Sequence, residues 1–171
     1  MKRSDIPVYF CYNMEQDRER AQVVLAQSES RNVDQPSIWS REEWTRWSGE
    51  SPDAVQQHMQ LALEATKVTC LLIGERTVDT PWIRPMLVKS HEMGRGIVAV
   101  YIHSIPDYSG NTARKGPNPL GNLKYEGKGG MSFPYASFYF TYDWALHDGP
   151  NRFDRWVEIA FQQVTEEAWE S

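Results

Sequence analysis

Lys67-Val68-Thr69-Cys70-Leu71-Leu72-Ile73-Gly74-Glu75-Arg76-Thr77-Val78-Asp79-Thr80-Pro81-Trp82-Ile83-Arg84-Pro85-Met86-Leu87-Val88-Lys89-Ser90 is the stretch whose reading decides the fold. An apolar, β-branched run from Val68 to Ile73 ends at Gly74. A polar loop follows, and a helix opens near Thr80-Pro81-Trp82. A buried parallel strand delivers residues to the carboxyl edge of a sheet in this way, and open α/β folds bind ligands at that edge.

Strand-like and helix-like segments alternate on both sides of this unit. Ile6 to Tyr12 reads as the first strand, and Ala21, Val24, Leu25 and Ser28 follow helical spacing between Glu15 and Ser28. Ser37-Ile38-Trp39 reads as a short second strand after Pro36. Ser51-Pro52-Asp53 combines a capping hydroxyl, proline at the first helical position and an acid in the first turn. Val55, Met59, Ala62 and Leu63 then form an apolar helix face.

Beyond the third strand, a helix over Trp82–Met93 leads through a C-terminal Gly94 to a fourth strand over Ile97–Ile102. Residues 105–135 are rich in glycine and proline, and a loop of that length is usually functional or mobile. Ser137 to Tyr142 reads as a fifth strand. The last helix, from about Asn151, carries Phe153, Trp156, Val157, Ala160, Phe161, Val164 and Ala168 as an apolar stripe. The order predicts a flavodoxin-like α/β fold, three layers around a five-stranded, mostly parallel sheet, as one domain over residues 1–171.

The composition narrows the function. At 171 residues, 40% apolar and 24% charged, the chain is ordinary for a globular protein with one sizeable core. A net charge of −5 argues against nucleic-acid or anionic-membrane binding. No membrane-length apolar run or signal core is visible, so a cytoplasmic protein is expected. Cys11 and Cys70 lie inside apolar runs, and the four histidines are scattered, so no metal site is expected. Trp39, Trp44 and Trp47 cluster in a polar segment read as a loop, where aromatic side chains line pockets or interfaces.

Several ordered segments carry a resemblance. They are Val8-Tyr9-Phe10-Cys11-Tyr12 with the charged Asp17 and Arg18 after it, Val68 to Gly74, Lys115-Gly116-Pro117-Asn118-Pro119-Leu120, and Tyr142-Asp143-Trp144 with Asp148-Gly149 and Phe153. Together they are similar to the TIR-like proteins of bacterial Thoeris antiphage systems, the ThsB-like branch. The resemblance implies a TIR-like fold and cleavage of NAD at the nicotinamide–ribose bond. It also implies release of a cyclic or modified ADP-ribose that diffuses to a separate effector protein. NAD would be substrate or ligand, with no resident cofactor, and self-association is a further expectation.

In that family the helix after the third strand reads Trp-apolar-Arg-aromatic-Glu, with the glutamate catalytic. The same register here reads Trp82-Ile83-Arg84-Pro85-Met86. Nicotinamide leaves as a neutral group, so the demand on the protein is a negative charge beside an oxocarbenium-like ribose. A thioether carries none. Two readings follow. Either another acid serves, with Glu42, Glu43 and Asp79 as candidates, or Met86 packs a pocket that is impaired and the chain works as a TIR-like interaction module. Glu92, six residues on, falls on a different helix face. Cys11, Tyr12 and Asn13 at the end of the first strand, with Trp39, Trp82 and Arg84, are the expected nucleotide-binding residues. A nucleotide or receiver-type flavodoxin-like domain is a further option, though no acidic pair ends the first strand.

Overall fold

A computed structural model describes residues 6–27 and 39–170, with side chains described as far as residue 165. Four parallel strands form the central sheet: β1 (Val8–Cys11), β2 (Val68–Ile73), β3 (Gly96–Tyr101) and β6 (Thr141–Asp143), hydrogen-bonded in the order β1-β2-β3-β6. Every residue of β1 and β2 is buried, as parallel strands covered on both faces require.

The helices cover the two faces. Tyr9, Cys11, Leu71, Ile73, Ile97 and Ala99 point into one apolar layer, which they share with Met59 and Leu63 of α3 (Pro52–Glu64) and Ile83, Met86 and Leu87 of α4 (Ile83–Glu92). Their alternating neighbours Val8, Phe10, Cys70, Leu72, Val98 and Val100 face the other layer, built by Ala21 and Val24 of α1 (Met14–Ala26) and by Phe153, Trp156, Val157 and Ala160 of α5 (Gly149–Glu170). The period of two along each strand divides one sheet between two cores. The three-layer, flavodoxin-like TIR-like architecture expected from the sequence is present.

Details differ from expectation. The sheet has four strands among the described residues, not five. Of the expected second strand, Ser37 and Ile38 lie outside the described residues, and Trp39 is buried but not in a strand. The expected fifth strand is β6, shorter and shifted, because Tyr135–Ser137 forms a 3₁₀ turn first. The long glycine- and proline-rich segment is not structureless, since β4 (Lys124–Glu126) and β5 (Ser132–Pro134) pair as an antiparallel hairpin inside it.

The tryptophan-rich segment is not a loop. It is helix α2 (Arg41–Glu50), opened by a capping box in which the Ser40 hydroxyl accepts from the Glu43 amide and the Glu43 carboxylate accepts from the Ser40 amide, both at 3.2 Å. Trp47 packs edge-on against Trp39 at 4.6 Å and stacks on His58 of α3 at 3.9 Å, which docks α2 onto the core. Ser51 and Pro52 open α3 as expected, and Gly94 takes φ 71° past the end of α4.

Candidate functional site

The carboxyl ends of β1 and β2 are stitched together by side chains, of which Asn13 and Trp82 belong to the sequence-predicted set and Thr77 and Thr80 do not. Asn13 caps α1, its Oδ1 accepting from the Gln16 amide at 3.0 Å, and its Nδ2 donates to Thr80 Oγ1 at 3.0 Å. Thr80 Oγ1 donates in turn to the Arg76 carbonyl at 3.0 Å. The Trp82 indole N–H donates to the Tyr12 carbonyl at 3.3 Å, and Thr77 Oγ1 accepts from the Gly74 amide at 2.7 Å. Cys11, Tyr12, Asn13 and Trp82 are all buried at this junction.

Burial decides the chemistry of these groups. The Cys11 thiol is pushed up to about 12, so it is a neutral thiol and not a nucleophile. The Tyr12 phenol is also raised by burial, with Arg18 opposing the shift, and its hydroxyl has no hydrogen-bond partner.

A carboxylate lies beside this junction, on the first turn of α1. Asp17 is 2% exposed, and its acid is pushed up to about 6, chiefly by burial, with Arg20 opposing the shift and Glu75 adding to it. One carboxylate oxygen lies 3.7 Å from Arg20 Nη1, while Oδ2 has no hydrogen-bond partner. The Gly74 backbone is pressed against this carboxylate so closely that a Cβ there would overlap it. Gly116, from the Gly-Pro-Asn-Pro segment, packs with the same closeness against the Gly74 carbonyl.

The segment above is strapped down by the same helix. Arg20 donates from Nε to the Ile105 carbonyl at 2.8 Å and from Nη2 to the Asn111 carbonyl at 2.9 Å, and it lies 3.9 Å from the Asp107 carboxylate. Glu19 accepts from the Tyr108 amide at 2.9 Å. Asp17 and Glu75 were missed as site residues in the sequence. The chain alone carries no signal for them, because only the pairing of β1 with β2 sets the first turn of α1 beside Gly74, the residue that follows β2.

Met86 does not face this junction as an open group. It is 0% exposed, part of the apolar layer that also holds Tyr9, Cys11, Trp39 and Leu71, and its carbonyl accepts from Ser90 Oγ at 2.8 Å. Ser90 Oγ is also 2.7 Å from Thr69 Oγ1, tying this turn of α4 to β2.

The candidate substitute acids are dispersed. Glu42 is exposed on α2, Asp79 is exposed in the 3₁₀ turn Thr77–Asp79, and Glu43 is half-buried with its carboxylate engaged in the α2 cap. Glu43 is near enough to help raise the Tyr9 phenol, after burial and the neighbouring Cys11 and Tyr12. Arg84 is exposed and borders, with Gln56, Lys89 and Glu92, a cavity of about 380 Å³ whose lining includes none of Cys11, Tyr12, Asn13, Thr80 and Trp82. Trp39 is buried at 1% exposure, so its faces pack the core and are closed to a stacking base.

Among the described residues no three histidine, cysteine, aspartate or glutamate side chains are grouped to hold a metal ion. No helix among them is long and apolar enough to cross a membrane.

Comparison with known proteins bears on this geometry. Residues 9–107, which carry β1, β2, β3 and the junction between them, match the family described as Thoeris protein ThsB, TIR-like domain. A Bacillus cereus (strain MSX-D12) protein provisionally named cyclic ADP-D-ribose synthase ThsB1 is 29% identical over 149 aligned positions, covering 67% of this chain and 78% of the relative. The chain belongs to the TIR-like domain family of Thoeris ThsB proteins.

Proposed function

We propose that this chain acts in Thoeris-type antiphage signalling by binding NAD, or a related nucleotide, at the carboxyl edge of its sheet. It would cleave the nicotinamide–ribose bond and release an ADP-ribose-derived signal for a separate effector protein in the cytoplasm. The observation that carries the reading is the junction of Cys11, Tyr12, Asn13, Thr80 and Trp82 between β1 and β2, at the edge where open α/β sheets take ligands. The provisional name of the Bacillus cereus relative, a cyclic ADP-D-ribose synthase, supports the same chemistry.

In this reading the residues divide the work. Asn13 and Trp82 fix the spacing of the two strand ends, and the buried surroundings lower the local dielectric, so a charge aimed at the ribose acts more strongly than in water. As the C–N bond breaks, its electron pair passes to the nicotinamide ring, which leaves neutral. Positive charge is left on the ribose, and a carboxylate facing it supplies the stabilisation. Met86 cannot supply it, so the acid comes from another element.

A second reading is favoured by one observation. Met86 is packed at 0% exposure where the family carries its glutamate, which fits a module that has given up catalysis and works by assembling with other TIR-like domains. Incubating the purified chain with NAD, and following nicotinamide release and ADP-ribose products by mass spectrometry, separates the two. Turnover by the unaltered protein supports the enzyme reading. NAD binding without turnover supports the module, and no binding of NAD or ADP-ribose overturns the proposal.

A further inference from the structure

We propose that the cavity at the carboxyl end of β6 is a second ligand site, for a small organic oxyanion carried on a flat ring. Arg152 and His147 hold the anion, and Tyr142 and Leu146 lie against the ring. The cavity has a volume of about 490 Å³, in the range of small-molecule sites, and lies between β6 and the first turns of α5. It shares no lining residue with the junction of Cys11, Tyr12, Asn13, Thr80 and Trp82, and β3 separates β6 from β2 in the sheet. A ligand here is additional to anything held at that junction.

The corner that frames the cavity is built from the chain's own bonds. Asp143 is 5% exposed, and its Oδ1 accepts from the Ala145 and Leu146 amides, both at 3.0 Å. The His147 amide donates to the Asp143 carbonyl at 2.9 Å, and the Gly149 amide to the Trp144 carbonyl at 2.8 Å. Asp148 takes φ 55°, a left-handed conformation uncommon outside glycine, and Gly149 has no room for a Cβ against the Trp144 ring. A turn bonded this closely presents Leu146 at 81% exposure. Singly exposed leucines are ordinary, so Leu146 counts here only as one wall of the cavity.

The polar side of the cavity offers donors. His147 Nδ1 accepts from the Asp143 amide at 2.7 Å, so the neutral ring carries its proton on Nε2. Arg152 is exposed, and its guanidinium makes no ion pair or hydrogen bond among the described residues. Asp148, one turn earlier and also in the lining, is engaged elsewhere, both its carboxylate oxygens accepting from Asn151 Nδ2 at 3.1 Å. A guanidinium fork and an imidazole N–H, brought to one cavity from two sides of the same corner, match a carboxylate or a phosphate.

The apolar side is flat. Tyr142 stacks on Trp156 with ring centroids 4.3 Å apart and planes inclined by 5°, and both line the cavity. Trp156 is buried and backs the tyrosine, while Tyr142 is half-buried and keeps surface for a further ring. Burial raises the Tyr142 phenol, with Arg155 opposing the shift, so its hydroxyl stays protonated and brings no charge that would repel an anion.

The test follows the side-chain resonances of Tyr142, His147 and Trp156 while benzoate, phenyl phosphate, benzyl alcohol and inorganic phosphate are titrated into the full chain. At least one ring-bearing anion is expected to bind about tenfold more tightly than benzyl alcohol or inorganic phosphate, and the tighter of the two tells a carboxylate site from a phosphate site. Arg152→Gln, at an exposed helix position, is expected to weaken that anion about tenfold and to leave benzyl alcohol unchanged. Leu146→Ser, equally exposed, should weaken it severalfold. Lys89→Gln, at the cavity beside α3 and α4, should leave every probe unchanged. The proposal is overturned if neither ring-bearing anion moves the three resonances, or if Arg152→Gln binds as tightly as the unaltered protein. An equal loss in Lys89→Gln would mean general attraction of anions and overturns it as well. Inorganic phosphate binding as tightly as phenyl phosphate, or no loss in Leu146→Ser, overturns the ring-holding role.

Discussion

The Asn13 amide and the Thr80 hydroxyl, 67 residues apart in the chain, meet at 3.0 Å and close the gap between the ends of β1 and β2. Asn13 serves two elements at once, because its carbonyl oxygen caps α1 while its amide nitrogen reaches Thr80. Asn13→Ala is expected to cost about 1 kcal/mol for the cap and a further 1 kcal/mol or so for the buried bond. In a double-mutant cycle with Thr80→Val, measured by urea unfolding, a coupling of about 0.5–1.5 kcal/mol is expected. A coupling near zero would mean that the bond does not join the two strands in solution.

Met86→Glu, the substitution that rebuilds the family motif, is expected to fail as a rescue. The side chain sits at 0% exposure within the apolar layer between the sheet and α3 and α4, so a carboxylate there would have to ionise in apolar surroundings. The expected outcome is a loss of about 3 kcal/mol or more in unfolding free energy and no rise in nicotinamide release. Met86→Leu should cost less than about 1.5 kcal/mol, since volume and polarity are nearly kept. A stable Met86→Glu protein with new NAD-cleaving activity would show that this helix turn opens to the ligand.

The sequence makes the architecture legible because the strongest signals are the longest ones. Val68 to Ile73 can only be buried on both sides, and the apolar spacing of α5 admits one face. The site is less legible, and the reason is geometric. Asp17 and Gly74 are each unremarkable in the chain, and only parallel pairing of β1 with β2 brings the first turn of α1 over the end of β2. Helix α2 is legible in the Ser40-x-x-Glu43 capping box that opens it, a local signal that outweighs the polar, tryptophan-rich composition that reads as a loop.

That box separates two roles for Glu43. If its carboxylate only closes the N-terminus of α2, then Glu43→Gln keeps the reciprocal bond and changes stability by no more than about 0.5 kcal/mol. Ser40→Ala should cost about 1 kcal/mol. Nicotinamide release, where it is measured for the unaltered chain, is expected to stay within about twofold in Glu43→Gln. A drop of the size produced by losing an aimed charge, roughly 10²–10³ in rate, would return Glu43 to the chemistry.

Asp17 makes a pH prediction whose sign is opposite to that of a paired carboxylate. Its acid is raised to about 6 in the folded protein, from 3.8 for the free group. Between those values the folded chain holds a proton that the unfolded chain has released, so this contribution to stability falls as pH rises from about 4 to about 6 and is lost above that. Arg20 opposes the shift and Glu75 adds to it, and the net cost of the ionised group is on the order of 2–3 kcal/mol. Asp17→Asn removes the titrating group. Thermal melts of the variant should therefore lack the decline in Tm through this window that the unaltered protein shows, and the variant should be the more stable of the two near pH 7. A variant that is less stable at pH 7, with the same pH profile as the unaltered chain, would mean that Asp17 is a satisfied structural acid, completed by Arg20 in solution.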